Sequence, residues 1–466
     1  MTNNIIKTSK DFTVQLLSSV LCNQTEYLSD TYHNYINNIS SNTNRLEELV
    51  RQYPSSILFN NPRLILTTAS NIVDQLKTIP NLKQIHKLPL YFNINCPDPL
   101  RATSIKWWQY QLNKESRRDF EMLHYHFHKV SCHNDKYASK LQVKSYLLRM
   151  KSTDSWMKRT FVGKGDLTLA QCTRSNYARF SELYTILKGL NTYADNLGYH
   201  STFITITAPP EFHSTPVKGG SKWDGSSPRD TNAYFAKGWH KMQAVLSKNK
   251  THYFGIRLVE PHHDGSNHWH LMILHKENDF DTIINALKFQ FYGENQVNVK
   301  RNNGKSTAAS YISKYIPKSK NLDGDDSTTS AVSAWRSCWG LRTFQFFGIE
   351  HQITKWRELR KIKKHNSALW KAASVGDFAS YLSLLKSCTI TLLKDVSENK
   401  YGGTYKKVIG ISIDEISYIT HSKYELLTHP PKINKVELVP NYSSNNDNYD
   451  SEKKPILTRI NSPPTQ

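Results

Sequence analysis

Tyr253-Phe-Gly-Ile-Arg-Leu-Val-Glu260-Pro-His-His-Asp264-Gly265-Ser-Asn-His268-Trp-His270-Leu-Met-Ile-Leu274 is the stretch that organises the rest of the chain. Two runs rich in aliphatic, aromatic and β-branched residues flank a polar centre, and the Asp264-Gly265 pair there is a strong hairpin signal. Residues two apart on a strand share a face, so His268 and His270 point one way and Trp269 the other. A turn centred near Asp264 sets Glu260 roughly opposite His268, on the same face. Two imidazoles and one carboxylate then converge, with positions left for water or substrate oxygens. That donor set suits Mn²⁺ or Mg²⁺, and Zn²⁺ less well. A His-x-His pair alone is usually surface polarity or a satisfied core pair; the carboxylate across the hairpin tips the reading toward a metal. His262, His263 and Asp264, in the turn itself, are rival third ligands, whereas His275 falls on the opposite face of a regular strand.

A second motif follows at Gly304-Lys-Ser306-Thr-Ala-Ala-Ser-Tyr311-Ile-Ser-Lys314-Tyr315-Ile-Pro317-Lys318. Ser306 is a natural N-cap and Pro317 a natural stop, so a helix is expected between them. At i and i+4, Tyr311 and Tyr315 lie on one face, and Lys314 and Lys318 form a second such pair beside them. A phenol of pKa ~10 becomes a useful nucleophile only beside positive charge, which the lysines supply. A Tyr-x-x-x-Tyr helix by itself is far more often plain packing. Beside the metal hairpin it becomes a candidate pair of nucleophiles.

Working outward, Phe203–Thr207 is expected as a strand and Asp230–Ser247 as a helix. The two hairpin strands come next, then a helix over about Phe280–Phe291 and a strand at Gln296–Lys300. This β-α-β-β-α-β order is the split βαβ plan of an α+β fold, related to ferredoxin-like and RRM-like sheets. Helices are expected on one face of the antiparallel sheet, the histidines on the other, free face, with the tyrosine helix lying across them.

The chain has 466 residues, with 61 Lys and Arg against 39 Asp and Glu, a formal charge of +22. Such an excess favours a polyanion through counterion release. Much of it is interleaved with aromatics, as in Lys106-Trp-Trp-Gln-Tyr110, Trp156-Met-Lys-Arg159, Trp335-Arg336 and Lys355–Lys364. That pairing suits single-stranded DNA, whose bases stack on rings while its backbone meets cations. Solvated helix faces are the bland alternative for any one cluster. Cys22, Cys96, Cys132, Cys172, Cys338 and Cys388 are scattered with no C-x-x-C pair, so neither a disulfide framework nor a cysteine zinc site is expected, and a reducing cytoplasm is. No apolar run approaches the ~18 residues of a membrane span. Val14–Cys22 is too short and polar for a signal segment.

With these motifs in order, the chain resembles the bacteriophage replication gene A proteins, HUH endonucleases that initiate rolling-circle replication. The matching segments are Phe203–Pro209, Glu260-Pro-His-His-Asp-Gly through His268-Trp-His270, and Ala308-Ala-Ser-Tyr311-Ile-Ser-Lys-Tyr315. Ala334-Trp-Arg-Ser-Cys-Trp-Gly-Leu-Arg342-Thr-Phe-Gln345 and Lys371–Asp377 extend the match, which covers roughly residues 100 to 385. The resemblance implies His268, His270 and Glu260 as ligands of Mg²⁺ or Mn²⁺. It implies Tyr311 and Tyr315 as alternating nucleophiles, and Lys314 as a contact to the scissile phosphate. Lys318, Arg342 and Trp335 are expected to touch DNA. A relaxase usually adds a third histidine, and a single-tyrosine transposase lacks the i, i+4 partner. A metal-dependent hydrolase would use the same ligands on water, with no covalent adduct.

The expected organisation is a helical region at 1–95, a helical basic region at 96–198 and the nuclease core with its tyrosine helix at 199–325. A helical aromatic-basic region at 326–428 and a disordered Pro/Asn/Ser-rich tail at 429–466 follow. The polar stretch Asn321–Ser330 is expected as a loop that lets the tyrosine helix adjust. No Walker A or helicase motif is present, so no nucleotide cofactor is expected and a separate host helicase is.

Overall fold

The structure, a computed structural model, describes residues 43–77, 92, 94, 96, 99–163, 167–217, 219–301, 327–399, 403–421 and 426–427. The expected tyrosine helix with Tyr311, Lys314, Tyr315 and Lys318, the first part of the 321–330 loop and the expected tail lie outside these residues.

Helices α1 (Thr43–Gln52) and α2 (Pro62–Lys77) pack on α3 (Ile105–His126). Their shared core includes Leu49, Ile57, Ile65, Ile72, Trp108 and Phe120. Serines set the next helix starts by accepting a backbone N–H two or three residues on. Ser104 does this for α3, Ser139 for α4 (Lys140–Arg159) and Ser175 for α5 (Asn176–Asn196). Strand β1 (His200–Thr207) leads to α6 (Pro228–Lys248), opened by a capping box between Ser227 and Asp230 with Pro228 at the first helical position. Next come β2 (Tyr253–Pro261), β3 (Asn267–His275), α7 (Phe280–Gln290) and β4 (Val297–Arg301). The chain continues through α8 (Ser327–Trp339), β5 (Phe344–Phe347), α9 (Glu350–Leu359), α10 (Ala368–Val375) and α11 (Phe378–Leu384). Strands β6 (Ile390–Glu398), β7 (Thr404–Ile413) and β8 (Ile416–Ile419) form a meander of their own.

The fold is α+β, built on a five-stranded antiparallel sheet in the order β4-β1-β3-β2-β5. Its first four strands alternate with α6 and α7 as the split βαβ plan requires. Those helices cover one face, where Ile204, Ile206, Val259, Trp269, Leu271 and Ile273 meet Phe235, Trp239, Met242 and Leu287.

Four expectations are corrected. The second face is not free: Phe203, Phe254, Ile256, Leu258, Met272 and Leu274 are buried against Leu187 and Leu190 of α5, Trp356 of α9 and Phe378 and Tyr381 of α11. These six side chains are apolar, and leaving them exposed would cost on the order of 2 kcal/mol each. The Glu260, His268 and His270 side chains lie at the hairpin end of this face, beyond these apolar residues. Second, Phe344–Phe347, inside the stretch expected to be helical, adds to the sheet edge beside β2. Third, the 326–428 region is not wholly helical, because β6–β8 close it. Similarly, the expected loop at 321–330 gives way to helix at Ser327. No helix among the described residues is long and apolar enough to cross a membrane.

Candidate metal centre

The hairpin pairs Glu260 with His268 and Leu258 with His270, which is the register that puts all three polar side chains on the second face. Between the paired strands, Gly265 N–H donates to His262 O and His262 N–H to Ser266 O. Gly265 sits at φ +80°, a left-handed position for which glycine is suited. The turn is further pinned from outside. Asp264 accepts from Ser266 N–H and Oγ at 3.1 and 2.7 Å through Oδ1, and meets His213 Nδ1 at 3.1 Å through Oδ2. The Trp335 indole N–H donates to Gly265 O at 2.7 Å, and the Tyr137 N–H donates to His263 O at 3.1 Å.

The three expected ligand atoms converge. His268 Nε2 and His270 Nε2 lie 2.8 Å apart, and Glu260 Oε2 is 4.0 and 3.5 Å from them respectively. Among the described residues, these are the His, Cys, Asp and Glu side chains whose donor atoms gather closely enough to hold one ion. Glu260 is buried, while the imidazole side chains are 13 % and 12 % exposed, so the cluster opens to solvent on the histidine side. Thr205 Oγ1, across the sheet on β1, hydrogen-bonds His270 Nδ1 at 3.1 Å and so turns Nε2 toward the cluster. The other Glu260 oxygen, Oε1, is buried without a hydrogen-bond partner among the described residues. A carboxylate held this way, next to two imidazole nitrogens, fits a divalent cation.

The rival third ligands stand outside the cluster. Asp264 spends its oxygens inside the turn, and His263 is exposed. The His262 ring lies tilted against His268, with ring centroids 4.2 Å apart, and meets His213 edge-on at 5.2 Å. Burial, and then the His213 charge, push His262 down to about 4, so it is neutral at neutral pH. Burial works against the charged forms of Asp264 and His213 alike. Their mutual hydrogen bond and attraction prevail, holding Asp264 below and His213 above their ordinary values.

Of the three residues expected to touch DNA, Arg342 is exposed, just before β5 and within electrostatic reach of Arg257. Trp335 corrects its expectation: it is fully buried, and its indole is spent on the turn rather than available to a base. Its neighbour Arg336, 8 % exposed, is buried as well and lies within electrostatic reach of Glu260 and Tyr146. Tyr137 escaped the sequence reading altogether. It sits half-buried beside the turn with its ring edge on His263, and burial together with the Glu260 charge raises its pKa. A raised pKa disfavours a phenolate, so Tyr137 is suited to donate a hydrogen bond rather than to attack. Only its backbone φ of +72° marks it, and no sequence signal announces that.

The comparisons with known proteins agree with one another. The family model described as bacteriophage replication gene A protein (GPA) matches residues 66–325. The replication protein of Haemophilus phage HP1 is 29% identical over 362 residues, covering 67% of this chain and 46% of the relative. The replication gene A protein of Escherichia phage P2 is 30% identical over 372 residues, covering 67% and 48%. A probable replication endonuclease from a prophage-like region of Salmonella typhimurium is 30% identical over 245 residues, covering 46% and 30%. The chain thus spans about half the length of the curated phage relatives it matches. No solved structure matches it. The family match takes in the entire hairpin, its Glu-His-His cluster and the Tyr311–Tyr315 segment, and the chain belongs to the bacteriophage replication gene A protein (GPA) family.

Proposed function

We propose that the chain is a replication initiator that nicks single-stranded or origin DNA by joining one of its own tyrosines to the phosphate. The observation that carries this reading is the convergence of Glu260 Oε2, His268 Nε2 and His270 Nε2 at the open end of the sheet. It is supported by relatives whose names speak of replication and of a replication endonuclease.

Glu260, His268 and His270 would hold Mg²⁺ or Mn²⁺, which when bound supplies Lewis-acid polarisation of the phosphate oxygens. Thr205 keeps His270 turned inward, and the buried Glu260 contributes the charge that makes a divalent cation welcome. Tyr311 or Tyr315 is the nucleophile. Its phenolic oxygen bonds to phosphorus as the bond to the 3′ oxygen breaks, and that oxygen leaves as a free 3′-OH with a proton. The products are a 5′-phosphotyrosine link and a primer end. Phosphodiester bond energy is retained in the link, so religation needs no nucleotide. With Lys314 beside them, the two tyrosines alternate between opening and closing a rolling circle. Lys318 and Arg342 hold the strand, and a host helicase separates the duplex.

The test is a denaturing gel of the protein incubated with Mn²⁺ and circular single-stranded DNA, including DNA of the element that encodes it. A detergent-resistant adduct, mapped by mass spectrometry to Tyr311 or Tyr315 and lost in His268→Ala, is the expected result. Cleavage with no adduct would replace this reading by a metal-dependent hydrolase.

A further inference from the structure

Arg336 is a buried cation with no ion-pair partner among the described residues. It is more than nine-tenths buried, and its Nε has no hydrogen-bond partner among the described residues. It forms no ion pair among them either, although a guanidinium remains charged at any physiological pH and is costly to bury alone. Its position is not accidental. Residues on each side of it on α8 are fastened: Trp335 to Gly265 O at 2.7 Å, Ser337 Oγ to Arg149 Nη1 at 3.5 Å, and Cys338 O to Arg118 Nε at 3.0 Å. One turn on, the Trp339 ring stacks on Tyr125 with centroids 5.8 Å apart. The helix therefore cannot roll Arg336 outward without breaking its seat on the hairpin. Among the described residues, the carboxylate within electrostatic reach of it is that of Glu260, while Tyr146, whose pKa burial raises, keeps a neutral phenol nearby.

Charge balance gives this placement a meaning. Without a cation, the Glu260 carboxylate and the Arg336 guanidinium cancel, and the two imidazoles are neutral when they present their lone pairs. A divalent cation held by Glu260 and the histidines leaves two uncompensated positive charges in a shielded pocket. Such an excess is unfavourable in low dielectric until an anion enters. A phosphodiester is the matching anion, since a guanidinium bonds phosphate oxygens through parallel N–H donors.

We propose that Arg336 is a positioning residue that couples DNA to the metal: it opposes the cation in the empty site and favours a backbone phosphate once the cation is bound. The proposal rests on the reading of Glu260, His268 and His270 as a metal centre acting on DNA. Metal and DNA then bind with positive cooperativity, and Arg336 is one source of it. Couplings of this kind usually amount to about 5- to 150-fold in affinity.

The experiment uses the full chain, as wild type, Arg336→Gln, Arg336→Lys and His268→Ala, with thermal unfolding as the folding check. Mn²⁺ affinity is measured by calorimetry without DNA. Affinity for a labelled mixed-sequence single-stranded oligonucleotide is measured by fluorescence anisotropy with and without Mn²⁺. Arg336→Gln is expected to bind Mn²⁺ at least as tightly as wild type, yet to lose about tenfold of the Mn²⁺-dependent gain in DNA affinity. Arg336→Lys, which keeps the charge but not the fork, is expected to recover part of that gain; if Arg336→Gln does not fold, Arg336→Lys alone decides, by a reduced gain with Mn²⁺ affinity unimpaired. Weaker Mn²⁺ binding with the DNA gain intact would overturn the proposal and make Arg336 a structural counter-ion of Glu260. A His268→Ala protein that keeps both the Mn²⁺ affinity and the gain would instead overturn the metal centre itself.

Discussion

His213 and Asp264 show how a single contact can set the shape of a site it never enters. Their ion pair, 3.1 Å long, fastens the turn that spaces Glu260 from His268. Asp264 has its pKa depressed, so its contribution to stability is present above the ordinary carboxylate value of 3.8 and is lost as pH falls through the folded value. His213 has its pKa raised, so its contribution is present below the ordinary imidazole value of 6.5 and is lost as pH rises through the folded value. The pair therefore supports the hairpin most between these two ordinary values. Thermal midpoints across pH 4 to 9 are expected to show Asp264→Asn most destabilised relative to wild type in that window, with the gap narrowing in alkali. A constant gap at every pH would mean that the carboxylate acts through Ser266 alone. At this scale the sequence was legible where residue type and register sufficed: Glu260, His268 and His270 needed only the period of a strand. It was not legible for Trp335 and Arg336. Adjacent aromatic and basic residues read alike as a DNA-facing pair, and only the packing of α8 buried both the ring and the guanidinium, the latter within electrostatic reach of Glu260.

Among elements, the β2–β3 hairpin holds the candidate metal cluster, and its turn has little room. A Cβ added at Gly265 would lie 2.2 Å from the Tyr125 hydroxyl, and the backbone there is left-handed. Tyr125 is fully buried and its ring is stacked on Trp339, so it has no space into which to withdraw. Gly265→Ala is expected to cost roughly 2–4 kcal/mol, the sum of left-handed strain and overpacking. Thermal unfolding would register that loss, and Mn²⁺ affinity is expected to fall with it because Glu260 and His268 lose their spacing. A variant as stable as wild type would show that the turn has an alternative conformation. The hairpin was readable because Asp-Gly between two apolar runs is a local signal. Strand β5 was not: Phe344-Gln-Phe-Phe347 is too short to display a period, and its partner β2 is far away in the chain. The β6–β7 pair had an available signal in the Gly402-Gly403 dipeptide between two runs rich in β-branched residues. Its alternation is blurred by a bulge between Leu393 and Lys394, which breaks the period of two.

Over the whole molecule, a formal charge of +22 would make electrostatics the main non-specific contribution to the proposed DNA affinity. Single-strand affinity is expected to fall roughly 10²- to 10³-fold between about 50 and 200 mM salt, the loss for about six phosphate contacts. A flat titration would mean that the charge faces elsewhere and that aromatic stacking dominates. The burial of the second sheet face belongs to this scale as well. Phe203, Ile256 and Met272 are covered by α5 from before the sheet and by α9 and α11 from after it, leaving the histidine end as the open part. The sequence by itself determined the split βαβ plan, the register of the hairpin and the identity of the three converging side chains. Each of these follows from local periodicity and turn chemistry, which act within a few residues. Only the tertiary structure decided which end of the face stays open, that Asp264 serves the turn rather than the cluster, and that Trp335 and Arg336 are both buried, with Arg336 within electrostatic reach of Glu260. The burial of Trp335 and Arg336 on α8 and the cover over the second face depend on which distant helices bury which apolar surface, and burial is a property of the assembled chain that no local pattern encodes.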